Sequence, residues 1–527
     1  MADLPTKQFA AIVGSENVLT AALEREYYAQ DVFSAGLPAG VVVRPSDTEQ
    51  LARVVKAATE HGLAVVPRGG GMSYTGGYIP QEEDSVLLDL SRMQRVLEIN
   101  ATDRYVTVEA GISWQALHQA LRGSGLRTPY WGTLSGLHAS VGGSVSQNSI
   151  FWGSGQFGTA ADSVLAMAVV TADGSIIRTG SAAQRNAPPF FRHFGPDLSG
   201  LFTGDCGALG IKATLTLRLL PEYPARAFGS FAFDRYQDML PAMAEISRQN
   251  LSMECFGFDP YLQRQRLKRE SLARDVQQFT GMLKSARGVG AAIKDGLTVA
   301  LSGRRYMDAV RWSFHSMIEE HTDSSAQHCL QKIRAIVKQH KGRELPDSIP
   351  KLVRANPFGP LNNMLGPHGE RWVPVHGLVA HSRAVPVMDE IEAIFAQHRQ
   401  QLDELDIGVG YLLATVSTHC SVLEPVFFWP DALQEIHRRT VEPAHLKRLK
   451  GFAENLPARE LVTSIRQKLA EMFRQQGAVH LQIGKAYQYR QGLQTESYAL
   501  VQALKRTLDP NNRMNPGALG LTSESSN

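Results

Sequence analysis

The chain reads Val65-Val66-Pro67-Arg68-Gly69-Gly70-Gly71-Met72-Ser73-Tyr74-Thr75-Gly76-Gly77 over residues 65–77. A short apolar strand here runs into a glycine-dense loop, and residues 85–90 (SVLLDL) predict the next strand. Because glycine has no Cβ, backbone N–H groups in such a loop can turn together toward an anion. The hydroxyls of Ser73 and Thr75 can bond phosphate oxygens. The loop lacks the G-x-G-x-x-G of a Rossmann turn and the Gly-Lys-Ser/Thr of a Walker loop. It therefore predicts a diphosphate cradle, with a flexible turn as the alternative.

The residues before this loop predict a β-α-β unit that leads into it. Residues 41–44 (VVVR) have the composition of a strand, and residues 46–49 (SDTE) have the spacing of a capping box. Apolar residues at helical spacing follow, and Gly62 ends the predicted helix. Residues 63–67 are then the second strand, so the glycine loop hangs from a strand end.

Two further segments rich in small residues lie downstream. Residues 137–149 read LHASVGGSVSQNS, and residues 197–211 read DLSGLFTGDCGALGI. Each precedes an apolar strand, over residues 162–174 and 213–219 respectively, the former closed by an Asp-Gly turn. Several such loops suggest that a bulky flat ligand approaches the backbone closely.

These pieces, in this order, resemble the flavoproteins of the vanillyl-alcohol oxidase and p-cresol methylhydroxylase (PCMH) superfamily. The pieces are VVVRPSDTEQLARVV, VVPRGGGMSYTGG, ASVGGSVSQNS with GQFG, VVTADG, GLFTGDCGALGI and, over residues 508–517, LDPNNRMNPG. The resemblance covers about the first 220 residues and the last 40. It implies an α+β protein in which a PCMH-type FAD-binding domain of two α/β subdomains is roofed by an α+β cap domain.

The resemblance also implies which residues contact FAD. Residues 68–77 would hold the diphosphate, residues 142–148 would run along the flavin ring and ribityl chain, and residues 204–210 would close over the adenine side. The implied FAD-binding residues are Arg68, Gly69, Gly70, Gly71, Met72, Ser73, Tyr74, Thr75, Gly76, Gly77, Gly142, Gly143, Ser146, Gln147, Asn148, Gly207, Gly210, Ile211 and Asn515.

Length and patterning indicate more than one domain. A chain of 527 residues is too long for a single core. We expect an FAD-binding domain over residues 1–223, a cap over 224–477 and a return to the first domain over 478–527. Within the middle part helical patterns dominate, notably over 388–405 and 460–475, with strands at 375–380 and 410–417. The polar segment 264–294 is a lid or a surface excursion.

Composition excludes several functions. The net charge is +3, and no basic run with interleaved aromatic residues indicates nucleic-acid binding. The four cysteines form no C-x-x-C pair, so we expect neither a zinc site nor a disulfide framework. We therefore expect the protein to lie in a reducing compartment. We find no secretory signal, and no apolar stretch approaches the roughly 18 residues of a spanning helix. We expect a cytoplasmic homodimer that acts on a small molecule.

Chemistry at the flavin is assigned to a few polar residues. Gln147 and Asn148 fall where members of the family place polar residues close to flavin N5. His376 lies on the strand predicted over residues 375–380, and related D-lactate and glycolate dehydrogenases carry a metal-binding H-x-G-D-x-N-x-H there. Here Leu-Val-Ala-His follows His376-Gly377, so we expect no metal, and His376 is either catalytic or structural.

One residue, His419, is a candidate for a covalent bond to the flavin. His419, after the apolar strand, resembles the place where some oxidases link their flavin. Met72 stands where another branch carries its linking histidine. We expect FAD to be bound without a covalent bond.

Residues 479–490 (VHLQIGKAYQYR) alternate in polarity, which predicts a strand with His480 and Gln482 on one face. In the family this strand reaches the substrate. His480 is a possible base, and a solvated basic rim is the alternative for the cations. The predicted substrate contacts are Arg354, Lys485, Tyr487 and Arg490.

The sequence therefore predicts an FAD-dependent oxidoreductase that passes a hydride from an alcohol to flavin N5. A phenolic or benzylic alcohol is the favoured substrate, and a D-2-hydroxy acid is the first alternative. Oxygen, a cytochrome or a quinone would reoxidise the flavin. Alkylglycerone-phosphate synthase shares the fold and runs a redox-neutral transfer, which is the second alternative.

Overall fold

The computed structural model describes residues 4–267 and 310–522, which build three larger sheets and one two-stranded pair. Most of the polar segment 264–294 therefore lies outside the described residues. Up to residue 223 the strands are β1 (Val18–Leu19), β2 (Val41–Val43), β3 (Ala64–Arg68), β4 (Ser85–Asp89), β5 (Val96–Asn100), β6 (Tyr105–Glu109), β7 (Leu126–Arg127), β8 (Val164–Val170), β9 (Ile176–Arg178), β10 (Ile211–Arg218) and β11 (Leu220–Pro221). The helices of this part are α1 (Thr6–Val13), α2 (Ala22–Tyr28), α3 (Thr48–Glu60), α4 (Trp114–Leu121), α5 (Val141–Gln147), α6 (Ser154–Phe157) and α7 (Leu198–Leu201).

The first sheet has the order β1-β2-β4-β3 and carries the glycine loop at the end of β3. Strands β2 and β3 both pair in parallel with β4, and α3 crosses between them, so the predicted β-α-β unit is confirmed. The predicted capping box is wrong by one residue. Asp47 caps α3 by accepting the Gln50 N–H, and the Gln50 side chain returns to the Ser46 N–H. Asp47 caps because its carboxylate reaches the third helical N–H.

The second sheet is antiparallel, with the order β5-β6-β10-β8-β9, and β7 pairs with β11 beside it. The predicted strands within 162–174 and 213–219 are its β8 and β10. One hydrophobic core joins the first two sheets, centred on α3 and including Val54, Val86, Val108 and Leu215. The two sheets thus form a single unit, which we call the platform.

After residue 223 the chain builds an eight-stranded sheet, which we call the large sheet, with the order β15-β12-β14-β13-β18-β19-β16 and β17 paired to β19. Its strands are β12 (Ala225–Phe233), β13 (Glu254–Phe258), β14 (Trp312–Glu320), β15 (Arg343–Leu345), β16 (Arg371–Pro374), β17 (Gly377–Ala380), β18 (Gly408–Val416) and β19 (Cys420–Trp429). Helices cover more of the described residues of this part than strands do, as predicted. Strands β12, β14 and β19 were not predicted, because they are buried almost throughout and lack alternation.

Helices pack on the large sheet, and most of them supply a second core. They are α8 (Tyr236–Arg248), α9 (Pro260–Leu267), α10 (Asp323–Gln339), α11 (Ser348–Ala355), α12 (Ala384–Gln397), α13 (Arg399–Glu404), α14 (Glu435–Thr440), α15 (Pro443–Leu446) and α16 (Leu456–Gln475). The single helix predicted over 388–405 is interrupted at His398, between α12 and α13. The second core includes Phe231, Met239, Ile391 and Phe473.

The last segment returns to the first sheet. It contains α17 (Tyr489–Gly492) and α18 (Thr495–Leu508). The Val65 N–H donates to Arg513 O at 2.7 Å, and the Asn515 N–H donates to Val65 O at 2.8 Å. The strand predicted over 479–490 is wrong, because only Val479 forms an isolated bridge, to Leu378, and Gln482 has a φ of 50°. Across the residues that the structure describes, no helix is long and apolar enough to cross a bilayer.

Candidate functional site

One cavity lies between the glycine segments and the large sheet. Most of its lining comes from the glycine segments, from the large sheet with residues 360–364, and from residues 133–135. Its lining is Val32, Pro67, Gly69, Gly70, Gly71, Met72, Ser73, Tyr74, Gly77, Tyr78, Leu90, Thr133, Leu134, Ser135, Ala139, Ser140, Gly142, Gly143, Ser144, Ser146, Gln147, Ser149, Ile150, Phe151, Cys206, Gly207, Gly210, Ile211, Lys212, Pro360, Leu361, Met364, Trp372, Leu412, Ala414, Val422, Glu424 and Gln482. All three predicted glycine segments therefore meet in one place.

Glycine is required at the contacts between these segments. A Cβ on Gly70 would collide with the backbone carbonyl of His138, and one on Gly69 with the Ser140 hydroxyl. A Cβ on Gly142 would lie 2.6 Å from the Ala110 Cβ. Since protein already packs behind these backbones, their other side is left to form a smooth cavity wall.

A buried aspartate that the sequence analysis missed holds the first glycine loop. Asp31 accepts N–H bonds from Gly76 at 2.7 Å, Phe33 at 2.9 Å and Ser34 at 2.6 Å. Burial raises the pKa of Asp31, and these backbone donors oppose the rise. A signal was present, since Asp31 begins an Asx-type turn, but nothing in the sequence links it to a loop 45 residues away.

Arg68 supports the loop from beneath, and its side chain does not reach the cavity. Its guanidinium lies over the rings of Tyr27, Tyr28 and Tyr78, at 4.8 to 5.4 Å from their centroids. Thr75 and Gly76 are likewise absent from the cavity lining. The residues of this loop that line the cavity are Gly69 to Tyr74 and Gly77.

Asn515 joins two glycine segments across the cavity floor. Its Nδ2 donates to Gly77 O at 2.7 Å and to Cys206 O at 2.6 Å. Asn148 has a comparable role at the end of α5, where it adopts φ 51° and accepts the Ala161 N–H. Both are predicted FAD contacts, and in the structure their side chains bond to backbone groups of the protein.

The second and third glycine segments give the cavity its polar side. Helix α5 begins after Ser140, which caps it, and places Ser146 and Gln147 on the lining. The Gln147 carbonyl accepts the Gln482 N–H at 2.7 Å. Beside them, Lys212 is paired with Asp205. Cys206 is a buried thiol whose pKa burial raises to about 12.

The large sheet supplies an apolar wall with a single carboxylate. Leu412 pairs with Glu424 and Ala414 with Val422 across β18 and β19, so the four side chains form one patch facing the cavity. Trp372 of β16 extends the patch. The sequence analysis did not select Glu424, although a lone charge in the apolar strand CSVLEPVFFW was a visible signal.

Tyr74 faces this patch from the glycine loop. Its hydroxyl accepts a hydrogen bond from Gln482 Nε2 at 3.1 Å. Burial and, second, the nearby Glu424 charge raise the pKa of Tyr74 well above its ordinary value. Tyr74 therefore stays protonated and keeps its own O–H to donate.

His376, His480 and Tyr487 lie together behind the cavity lining. The His376 Nε2 accepts the Leu481 N–H at 3.1 Å, and His480 Nδ1 donates to His376 O at 2.7 Å. The rings of His480 and Tyr487 stack at 3.9 Å. Burial lowers the pKa of His376 to about 3 and that of His480 to about 4, so both imidazoles are neutral. The cluster holds residues 479–482, which carry Gln482.

The four other predicted contacts also lie off the lining. Arg354 pairs with Glu319 at 2.8 Å, and the Lys485 Nζ donates to Ile79 O at 2.7 Å. Arg490 is exposed and lies over the Tyr498 ring. His419 is exposed in the turn between β18 and β19. Among the described residues no group of His, Cys, Asp and Glu could hold a metal ion.

The sequence matches two families of known domains. Residues 39–180 match the FAD binding domain, and residues 483–519 match the C-terminal domain of FAD linked oxidases. The cavity residues fit FAD, because the glycine backbones and serine hydroxyls of the cavity suit the diphosphate and ribityl chain of that cofactor. The chain therefore carries an FAD site.

Curated relatives match about half of the chain. An uncharacterized FAD-linked oxidoreductase of Mycobacterium tuberculosis is 31% identical over 256 residues, 48% of this chain and 54% of the relative. A probable mitochondrial D-lactate dehydrogenase of Danio rerio is 32% identical, over 46% of this chain and 48% of the relative. The chain spans about half the length of the curated relatives it matches.

Solved structures match nearly the whole chain. The 4-ethylphenol oxidase of Gulosibacter chungangensis has a TM-score of 0.72 at 18% identity and covers 99% of this chain and 97% of its own. A p-cresol methylhydroxylase has a TM-score of 0.71 at 18% identity over 98% and 96%. At this identity the likeness concerns the fold.

Proposed function

We propose that this protein, a member of the FAD-linked oxidase superfamily with the p-cresol methylhydroxylase type of fold, oxidises a neutral and largely apolar alcohol. The observation that carries the proposal is the wall of Leu412, Ala414, Val422 and Trp372, where the described residues include one carboxylate and no cation. A phenolic or benzylic alcohol has this chemistry, because its ring packs on apolar side chains while its hydroxyl meets a few polar atoms.

FAD, when bound, supplies a hydride acceptor at N5. The protein residues bind the alcohol against the apolar patch and handle its hydroxyl proton. Tyr74 donates its O–H to the substrate oxygen, and Gln482 holds the Tyr74 oxygen in place. Glu424 accepts the hydroxyl proton as the C–H bond breaks, which is general-base catalysis.

The test of this role is Glu424→Gln. We expect the rate of anaerobic flavin reduction by a benzylic alcohol to fall about 100-fold or more, since a positioned base contributes at least that much. Exposed Glu49 on α3 provides the control, and Glu49→Gln should reduce its flavin at the wild-type rate. An unchanged rate of flavin reduction in Glu424→Gln would show that this carboxylate is not the base of the reaction.

A D-2-hydroxy acid is a second possible substrate, favoured by the D-lactate dehydrogenase relative. Its carboxylate needs a cation, and the lining offers Lys212, which is already paired with Asp205. Behind Tyr74, Arg466 donates to the Tyr74 carbonyl at 3.4 Å and leaves its Nε without a partner. If D-lactate bleaches the flavin and Arg466→Met abolishes this, the acid replaces the neutral alcohol as substrate.

The same anaerobic experiment separates oxidation from transfer. In an oxidoreductase the substrate reduces and bleaches the flavin in a single turnover. In a redox-neutral transferase the flavin shows no net reduction. A flavin that stays yellow with every alcohol and hydroxy acid would overturn the proposed oxidation.

A further inference from the structure

A loop outside the cavity lining exposes three aromatic side chains. Phe190, Phe191 and Phe194 are 53%, 49% and 50% exposed, and every other phenylalanine in the described part of the chain is more deeply buried. The loop is fixed, because Ser181 donates its N–H to Phe191 O at 2.6 Å and accepts the Phe191 N–H at 3.1 Å. The three rings are therefore presented to solvent by an ordered backbone, a feature that marks interaction sites.

A cationic cleft adjoins these rings. It lies between residues 182–189 and the open face of the second sheet, and Arg178 and Arg185 line it together with Asn186 and Thr214. Both arginines are exposed, and neither is ion-paired within the described residues. Residues 178–195 contain no acidic residue. Their third arginine, Arg192, is paired with Asp197 at 2.9 Å, so the charge offered to a partner comes from Arg178 and Arg185.

We propose that residues 178–195 dock this protein on an anionic lipid surface. The three phenylalanine rings enter the boundary between headgroups and acyl chains, and Arg178 and Arg185 contact lipid phosphates, which guanidinium groups bind through paired hydrogen bonds. Apolar side chains flanked by arginines are the combination by which proteins lie on anionic bilayers. The inference does not depend on the oxidation proposed above.

Charge argues for lipid over a second copy of the chain. In a symmetric dimer formed through this surface, the patch that carries Arg178 and Arg185 would face the same patch of the partner, and like charges oppose each other. An anionic bilayer instead satisfies the rings and the arginines at the same time.

The experiment is co-sedimentation of the holoprotein with vesicles of phosphatidylcholine alone or mixed with phosphatidylglycerol. We expect binding to the mixed vesicles only, and we expect salt to weaken it. Phe190→Ser with Phe191→Ser and Phe194→Ser should weaken binding about 50-fold, since each ring is about half exposed before docking. Arg178→Gln with Arg185→Gln should weaken it about 25-fold.

The control replaces exposed apolar residues elsewhere, Leu456→Ser with Leu500→Ser, and should bind like the wild type. Retained flavin absorbance shows that each variant is folded. Wild-type protein that ignores both vesicles, or binding that survives the phenylalanine and arginine changes, overturns the proposal. A dimer that falls to monomers in the phenylalanine variant, without vesicle binding by the wild type, assigns the surface to a second copy instead.

Discussion

Gly70 is the residue at which the first two glycine segments meet most closely. Any Cβ there would collide with the carbonyl of His138, which is backbone and cannot rotate away. We expect Gly70→Ala to weaken FAD binding about 5-fold or more and so to lower the FAD content of the purified protein, since overpacking of this kind costs about 1–3 kcal/mol. The measurement is the ratio of flavin to protein absorbance.

Gly451 provides the matched control, because a Cβ there meets nothing within 4 Å. Gly451→Ala should keep its full complement of flavin. A yellow, saturated Gly70→Ala protein would show that the two segments need not touch in the bound state.

At the same scale, the glycine residues of the site were predictable and the acidic residues were not. Runs of glycine carry a local signal, because few other sequences allow a backbone to approach a ligand. Asp31 and Glu424 act across long sequence separations. The residues next to a single carboxylate in a loop or strand do not indicate which distant group it contacts. His376, His480 and Tyr487 stood out by residue type, yet the structure brings them together behind the lining.

The connection between β16 and β17 and the segment 479–482 form one element with two neutral histidines. Because the pKa values of His376 and His480 in the folded protein lie below the ordinary value near 6.5, the unfolded chain binds more protons as the solution is acidified. Their contribution to stability is thus present above about pH 6.5 and is lost as the pH falls toward 4 or 3.

We expect His376→Gln to remove part of this acid sensitivity. Between about pH 6.5 and 5.5 the free energy of unfolding of the wild type should fall by about 1 kcal/mol more than that of the variant. Urea titrations at the two pH values measure the difference. His193→Gln, at an exposed site, should follow the wild type, and equal slopes for His376→Gln would contradict the assignment.

Elements were predicted unevenly, and burial explains where the prediction was wrong. The strands β2, β3 and β4 are short and bounded by turn residues, so their limits could be read from sequence. The long strands β12, β14 and β19 are buried on both faces, and such continuous apolar runs cannot be told from buried helix by periodicity. The strand predicted over 479–490 failed because its contacts come from Gln147, Thr75 and His376, which replace a sheet neighbour.

For the whole molecule, a buried charge network joins the platform to the large sheet. Glu319 of β14 is reached by Arg127 at 3.3 Å, Arg354 at 2.8 Å and Arg226 at 3.4 Å. Nearby, Glu254 of β13 accepts the Gly153 N–H at 2.7 Å. Burial and then the Glu319 charge raise the pKa of Glu254.

The two carboxylates should respond oppositely to neutralisation. Glu319→Gln is expected to lower the free energy of unfolding by about 3–5 kcal/mol, because three arginines lose their buried counter-charge. A raised folded pKa means that Glu254 stabilises the protein fully below about pH 4.5 and loses this contribution as the pH rises. Glu254→Gln should therefore be at least as stable as the wild type at pH 8. Thermal unfolding at pH 5 and pH 8 measures both effects, and equal losses for the two variants would contradict the argument.

The brace made by Asn515 has a consequence for biosynthesis. Its side chain ties Gly77 to Cys206, and its neighbours Arg513 and Met514 run beside Val65. A nascent chain still attached to the ribosome has translated the whole glycine loop long before residue 515 leaves the exit tunnel. The pocket floor therefore cannot close until residue 515 has been synthesised and has left the exit tunnel, so a shorter nascent chain lacks the complete flavin site.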